Sequence, residues 1–158
     1  GALLTQTLQE GFDIQFEDGT WAKCLVLEPS EKTSNNNLWT IEALHPGVEY
    51  HMAPELFISR GSPGSIVEQW VQNKGGVGGI HHIAYQVTSV EAVVEEWKSK
   101  GFAEFASEEP LTCPGLVQIF TKPLAHTGII YEFIERTTQG FCAKNVKNLM
   151  ESTKDNKF

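Results

Sequence analysis

His82 and Glu132 are the residues of this chain whose types and placement point to chemistry. His82 stands near the start of a short run of β-branched and aromatic residues, and Glu132 lies inside a later run of the same kind, so both belong on strands. Two strands of one small curved sheet bring such side chains together. An imidazole beside a carboxylate suits a divalent cation with open coordination positions, including iron of the two-His-one-carboxylate type. A second role stays open for each: a histidine next to another, here His81, can be a satisfied structural residue, and a strand glutamate can face solvent.

The elements that must position them are legible between Gly79 and Arg136. Ile80–Val87 reads as a strand. Thr88 with Glu91 forms a capping-box pattern, and Val90, Val93, Val94 and Trp97 recur at helical spacing, which predicts a helix with one buried face, ended by Gly101. Phe102–Ala106, Leu116–Lys122 and Ile129–Glu135 follow as short apolar segments bounded by Gly, Pro or Thr, giving the order βαβββ. Glu108–Gly115 falls between them as a loop.

The first half shows a related order. Trp21–Leu27, Leu38–Leu44 and Glu55–Ser59 read as strands, with Pro54 at a strand start and Ser34 to Asn37 as a polar loop. Ser65 with Glu68 caps a linking helix that carries Val67, Trp70 and Val71. Lys100-Gly101-Phe102 matches Glu10-Gly11-Phe12, each after a segment readable as a helix tail, which suggests duplication. Counted back from Gly11 as His82 is from Gly101, the counterpart of His82 falls before the chain starts, so the opening strand of the first module is expected to be missing. The predicted organisation is an incomplete first module over 1–64, a linking helix over 65–78, a second module over 79–136, and a closing helix and tail over 137–158.

Composition narrows the function class. The 158 residues carry 12 basic and 20 acidic side chains, a net charge of -8, which disfavours binding to nucleic-acid phosphates or anionic membranes. No apolar run approaches the roughly 18 residues of a membrane span. Cys24, Cys113 and Cys142 are an odd set with no close pairing in sequence, so free thiols and a reducing, cytoplasmic setting are expected. The chain begins Gly1-Ala2-Leu3, as a piece excised from something longer would.

Four motifs carry a resemblance. Gly79 to Val87, with sequence GIHHIAYQV, resembles the opening strand of the second module in methylmalonyl-CoA epimerases, glyoxalases and 4-hydroxyphenylpyruvate dioxygenases. Leu116 to Leu124 is similar to the "LLQIFTKPL" stretch of those dioxygenases, Ile129 to Arg136 resembles their last strand, and Gln139 to Glu151 resembles their closing helical segment. All belong to the vicinal-oxygen-chelate superfamily. The resemblance covers about Ser65 to Ser152 and implies an α+β fold of paired βαβββ modules forming a cupped mixed sheet. It also implies His82 and Glu132 as metal ligands, Gln118 facing the substrate, and Gln139 and Phe141 approaching the substrate ring.

Glu55 matches the module-one position where glyoxalases and epimerases place a ligand, with an exposed charge at a strand end as its other reading. His45 and His51 match no ligand position, and Cys142 stands where the family keeps glycine. The resemblance thus implies an Fe(II)-dependent dioxygenase for a small 2-oxo acid of the 4-hydroxyphenylpyruvate type, with another divalent metal, or none, as the alternatives. A glyoxalase- or epimerase-like metal enzyme using Glu55, and a non-catalytic small-molecule binder of the same fold, are the competing readings. A homodimer is expected, because an open sheet edge in the first module needs covering.

Overall fold

The computed structural model describes residues 8–27, 56–137 and 141–152. The chain divides into two compact units, Gly1–Glu68 and Gln69–Phe158. The expected strand Leu38–Leu44, the polar loop before it, His45, His51, Glu55 and Gln139 lie outside the described residues.

The first unit is built on an antiparallel sheet in the order β1-β2-β3, with β1 Leu8–Gln15, β2 Trp21–Leu27 and β3 Leu56–Gly61. Alternation in β2 buries Ala22, Cys24 and Val26 on one face, as the period of two requires. Burial also pushes the Cys24 thiol up, which makes it a small core hydrophobe and not a nucleophile. The segment ending at Gly11, readable from sequence as a helix tail, is strand from Leu8 onward. Leu8 pairs with Leu27 and Phe12 with Cys24, with an irregularity between Gln9 and Phe12, so cross-strand pairing overrides the local pattern. Ser65 does cap the helix that follows, α1 Ile66–Asn73, its hydroxyl accepting from the Glu68 amide at 3.2 Å.

The second unit has the expected order βαβββ: β4 His82–Gln86, α2 Val90–Lys100, β5 Leu111–Cys113, β6 Leu116–Phe120 and β7 Ile130–Arg136, followed by α3 Ala143–Ser152. Its sheet runs β4-β7-β6-β5, parallel between β4 and β7 and antiparallel elsewhere. Two local expectations change. The N-cap is Ser89, not Thr88: its backbone is extended and its hydroxyl accepts from the Ala92 amide at 3.1 Å. Phe102–Ala106 is not a strand, contributing only an isolated bridge from Phe105 to Thr121, and the second strand of the unit is Leu111–Cys113, inside the stretch expected to be a loop. Pro114-Gly115 explains the difference. Cys113 pairs with Leu116 across this two-residue turn, and Gly115 supplies the positive φ of 72° there.

Helix α2 packs its Val90, Val93, Val94 and Trp97 face on Val117, Ile119, Tyr131 and Phe133, and this cluster is the core of the unit. Gly101 ends the helix at φ 65°, with its amide and that of Phe102 bonded back to Lys98 and Trp97 carbonyls. Gly101→Ala is therefore expected to cost about 1–2 kcal/mol, because a β-carbon is disfavoured in the left-handed region. A urea midpoint unchanged by the substitution would show that the cap tolerates the side chain.

Candidate functional site

Strand alternation gives the sheet of the second unit two faces with different tasks. Tyr131, Phe133 and Glu135 of β7 lie on the α2 side, where Glu135 accepts from the Val90 amide at 3.0 Å at the start of that helix. Ile130, Glu132, Ile134 and Arg136 lie on the other side. By register His82 is beside Ile130, Ala84 beside Glu132, Phe120 beside Glu132, and Gln118 beside Ile134. The face away from α2 thus gathers His82, Glu132 and Gln118. Helix α3 covers it: Leu149 packs with Phe120 and Ile130, and Leu111 joins that cluster.

His82 Nε2 lies 3.3 Å from Glu132 Oε2, the closest approach of an imidazole to a carboxylate among the described residues. Glu132 is 6% exposed, and a carboxylate withdrawn that far from water needs a proton, a donor or a cation beside it. The imidazole is held on its other sides as well, edge-on to Phe120 at 6.0 Å and with its Nδ1 3.1 Å from Nδ1 of His81. Burial, aided by the neighbouring His82 and Lys74, pushes His81 down to about 4, so His81 is neutral at physiological pH. An imidazole and a carboxylate converging on one point form a donor pair that suits a divalent metal. No third His, Cys, Asp or Glu joins them among the described residues.

The other sequence-derived site residues fall as follows. Gln118 is buried on the same face, diagonal to Glu132 across β6 and β7, a separation that long side chains can bridge. Phe141 is described and half-buried, its ring under the Arg136 guanidinium at 5.2 Å, so a cation–π contact ties the approach to α3 to the end of β7. Gln139 and Glu55 have no described position.

Two features went unrecognised in the sequence. Asn145 in α3 is 2% exposed, and its Nδ2 has no hydrogen-bond partner among the described residues. It stands one helical turn before Leu149, on the covering side of the helix, and a polar residue in phase with a buried leucine was the signal available. The cysteine expectation is corrected: Cys113 and Cys142 form a disulfide, with their α-carbons 6.5 Å apart, leaving Cys24 as the free thiol. Residues 29 apart in sequence meet because the chain returns from β7 to lay the start of α3 against β5.

The α+β architecture, with its βαβββ unit and a metal-compatible pair on the face opposite the helix, is that of the vicinal-oxygen-chelate fold. No protein-family model and no curated protein sequence matches the chain. Solved structures do. A triple mutant of 4-hydroxymandelate synthase from Streptomyces coelicolor superposes with a TM-score of 0.64 at 17% identity, over 96% of this chain and 46% of the synthase chain. A methylmalonyl-CoA epimerase in complex with methylmalonyl-CoA and NH4+ gives 0.51 at 19% identity, over 84% of this chain and 78% of the epimerase. A variant of the Streptomyces coelicolor epimerase bound to 2-nitronate-propionyl-CoA gives 0.50 at 19% identity, over 84% and 80%. At these identities the likeness is one of fold, and this chain spans less than half of the synthase.

Among the described residues no helix is long and apolar enough to cross a membrane.

Proposed function

We propose that the chain is a metal-dependent dioxygenase for a small 2-oxo acid of the 4-hydroxyphenylpyruvate type, with Fe(II) held by His82, Glu132 and a third ligand for which Glu55 is the candidate. The observation that carries this reading is the 3.3 Å approach of His82 Nε2 to the buried Glu132 carboxylate on the face covered by α3. Bound there, ferrous iron would supply adjacent open positions for a chelating oxo acid and for dioxygen. The protein's own groups do the rest. Gln118, with Gln139, hydrogen-bonds the substrate, and the unpaired Asn145 amide offers a further donor, which supports a polar ligand on this face. Phe141 packs on the substrate ring, and the Leu149, Phe120 and Ile130 cluster keeps water from the covered end of the site.

A second reading, an epimerase- or glyoxalase-like metal enzyme with Glu55 as ligand and base, is supported by the match over 80% of an epimerase chain, against 46% of the synthase. Elemental analysis of protein purified without added metal separates the cases. Iron in the parent, lost from His82→Ala and Glu132→Ala variants that still fold, together with oxygen uptake on addition of 4-hydroxyphenylpyruvate, is the expected result. A different divalent metal with no oxygen uptake favours the isomerase. A folded parent that retains no metal and takes none up on titration overturns both readings and leaves a binding protein of this fold.

The proposal includes a homodimer and a cytoplasmic setting. A single monomer peak in size-exclusion chromatography at micromolar concentration would remove the dimer.

A further inference from the structure

The two adjacent histidines are arranged as a directional pair, and the direction matters for the site. His81 is anchored by its backbone, whose carbonyl accepts from the Ile130 amide at 3.4 Å, and by its ring, which stands edge-on to Trp70 at 5.5 Å. The ring of His82 is perpendicular to it at 5.4 Å, and the two Nδ1 atoms are 3.1 Å apart. At that distance one nitrogen carries the proton and the other accepts it.

The two arrangements have opposite consequences for Nε2 of His82. If His81 donates, neutral His82 keeps its own proton on Nε2, which then points at Glu132 Oε2 at 3.3 Å and closes the pair as an ordinary hydrogen bond. If His82 donates from Nδ1, its Nε2 carries a lone pair beside the carboxylate. Two electron-rich atoms so close then call for a cation. Passing between the two states leaves the total proton count unchanged: the Nδ1 proton moves from His81 to His82, Nε2 of His82 releases one, and Nε2 of His81 gains one.

We infer that His81 is a positioning residue that, by accepting a hydrogen bond from His82 Nδ1, holds His82 in the tautomer whose Nε2 is free for a metal. The inference rests on the proposed metal site and deepens it. A ligating histidine is generally oriented by an acceptor on its second nitrogen, and here that acceptor is the preceding residue in the chain, locked against Trp70. Its reach depends on the backbone just before β4, where His81 is not yet within the strand.

The test uses Zn2+, a redox-silent and diamagnetic probe, titrated into the metal-free full chain in competition with a chromophoric chelator. His81→Phe keeps an aromatic ring against Trp70 and removes the acceptor, whereas His81→Gln restores an acceptor. The expected result is a loss of about 10–100-fold in affinity for the phenylalanine variant and recovery to within about threefold of the parent for the glutamine variant. Nitrogen-15 spectra of the zinc-loaded parent should show the His82 proton on Nδ1. Equal affinity in parent and His81→Phe, with binding still lost in His82→Ala, overturns the inference and leaves the metal site standing. Equal weakening in both His81 variants overturns it too, because an acceptor restored at position 81 then does nothing for the site. A parent that binds no zinc and no iron removes the site and the inference together.

Discussion

Phe133→Ala should destabilise the second unit by about 3–5 kcal/mol, the range for deleting a fully buried aromatic ring. Phe133 is 5% exposed and lies at the centre of the core, with Trp97 at 4.7 Å in an edge-to-face arrangement and Val90 and Ile119 in the same cluster. Those neighbours come from a helix and a strand and cannot collapse together into the void, so both the lost transfer energy and the cavity contribute. Tyr85→Ala provides the contrast. Tyr85 meets the rings of Tyr131 and Phe133 at 5.8 and 6.5 Å but is 50% exposed, and its loss should cost well under half as much. Urea denaturation of both variants gives the answer. Equal midpoint shifts would mean that the α2 face of the sheet is not the core that holds the unit.

Reduction of the Cys113–Cys142 disulfide should lower stability by about 3–4 kcal/mol, which is the loop-closure entropy that a bridge across a separation of this size removes from the unfolded chain. The bridge joins β5 to the residue just before α3, and α3 carries Leu149 and Asn145 onto the site face. Its loss should therefore loosen the cover of the site before it affects the α2 core. Thermal unfolding with and without dithiothreitol, on the parent and on a Cys142→Ser variant, checks both points. The variant should match the reduced parent and be insensitive to the reductant. Three reactive thiols in denatured, oxidised parent protein would show that the bridge does not form.

The pattern of the second unit was legible because its signals are local. Val90, Val93, Val94 and Trp97 at helical spacing, closed by Gly101, define α2 without reference to anything distant, and they are the residues that pack on the sheet. The errors arose where a partner strand decides. Phe102–Ala106 has strand-like composition yet forms only one bridge, while Leu111–Cys113, lacking a strong signal, becomes a strand because Pro114-Gly115 folds it onto β6. Ser89 and Thr88 are both competent caps, and only the backbone angles choose between them.

The site shows the same division. That residues 82 and 132 carry metal-compatible side chains on strands is a property of the sequence, and so is the placement of Glu132 on the strand face opposite its neighbours Tyr131 and Phe133. Their meeting at 3.3 Å was decided by the parallel pairing of β4 with β7, a contact between segments far apart in the chain for which no local rule exists. The same holds for the Cys113–Cys142 bridge, for the burial of Asn145, and for His81 turned against His82. The chain alone determined the helices and the strongly patterned strands, since periodicity and capping act over a few residues. Tertiary packing decided which side chains share a face and which polar atoms lose their water, because both depend on contacts whose cost and gain exist only once the sheet has closed.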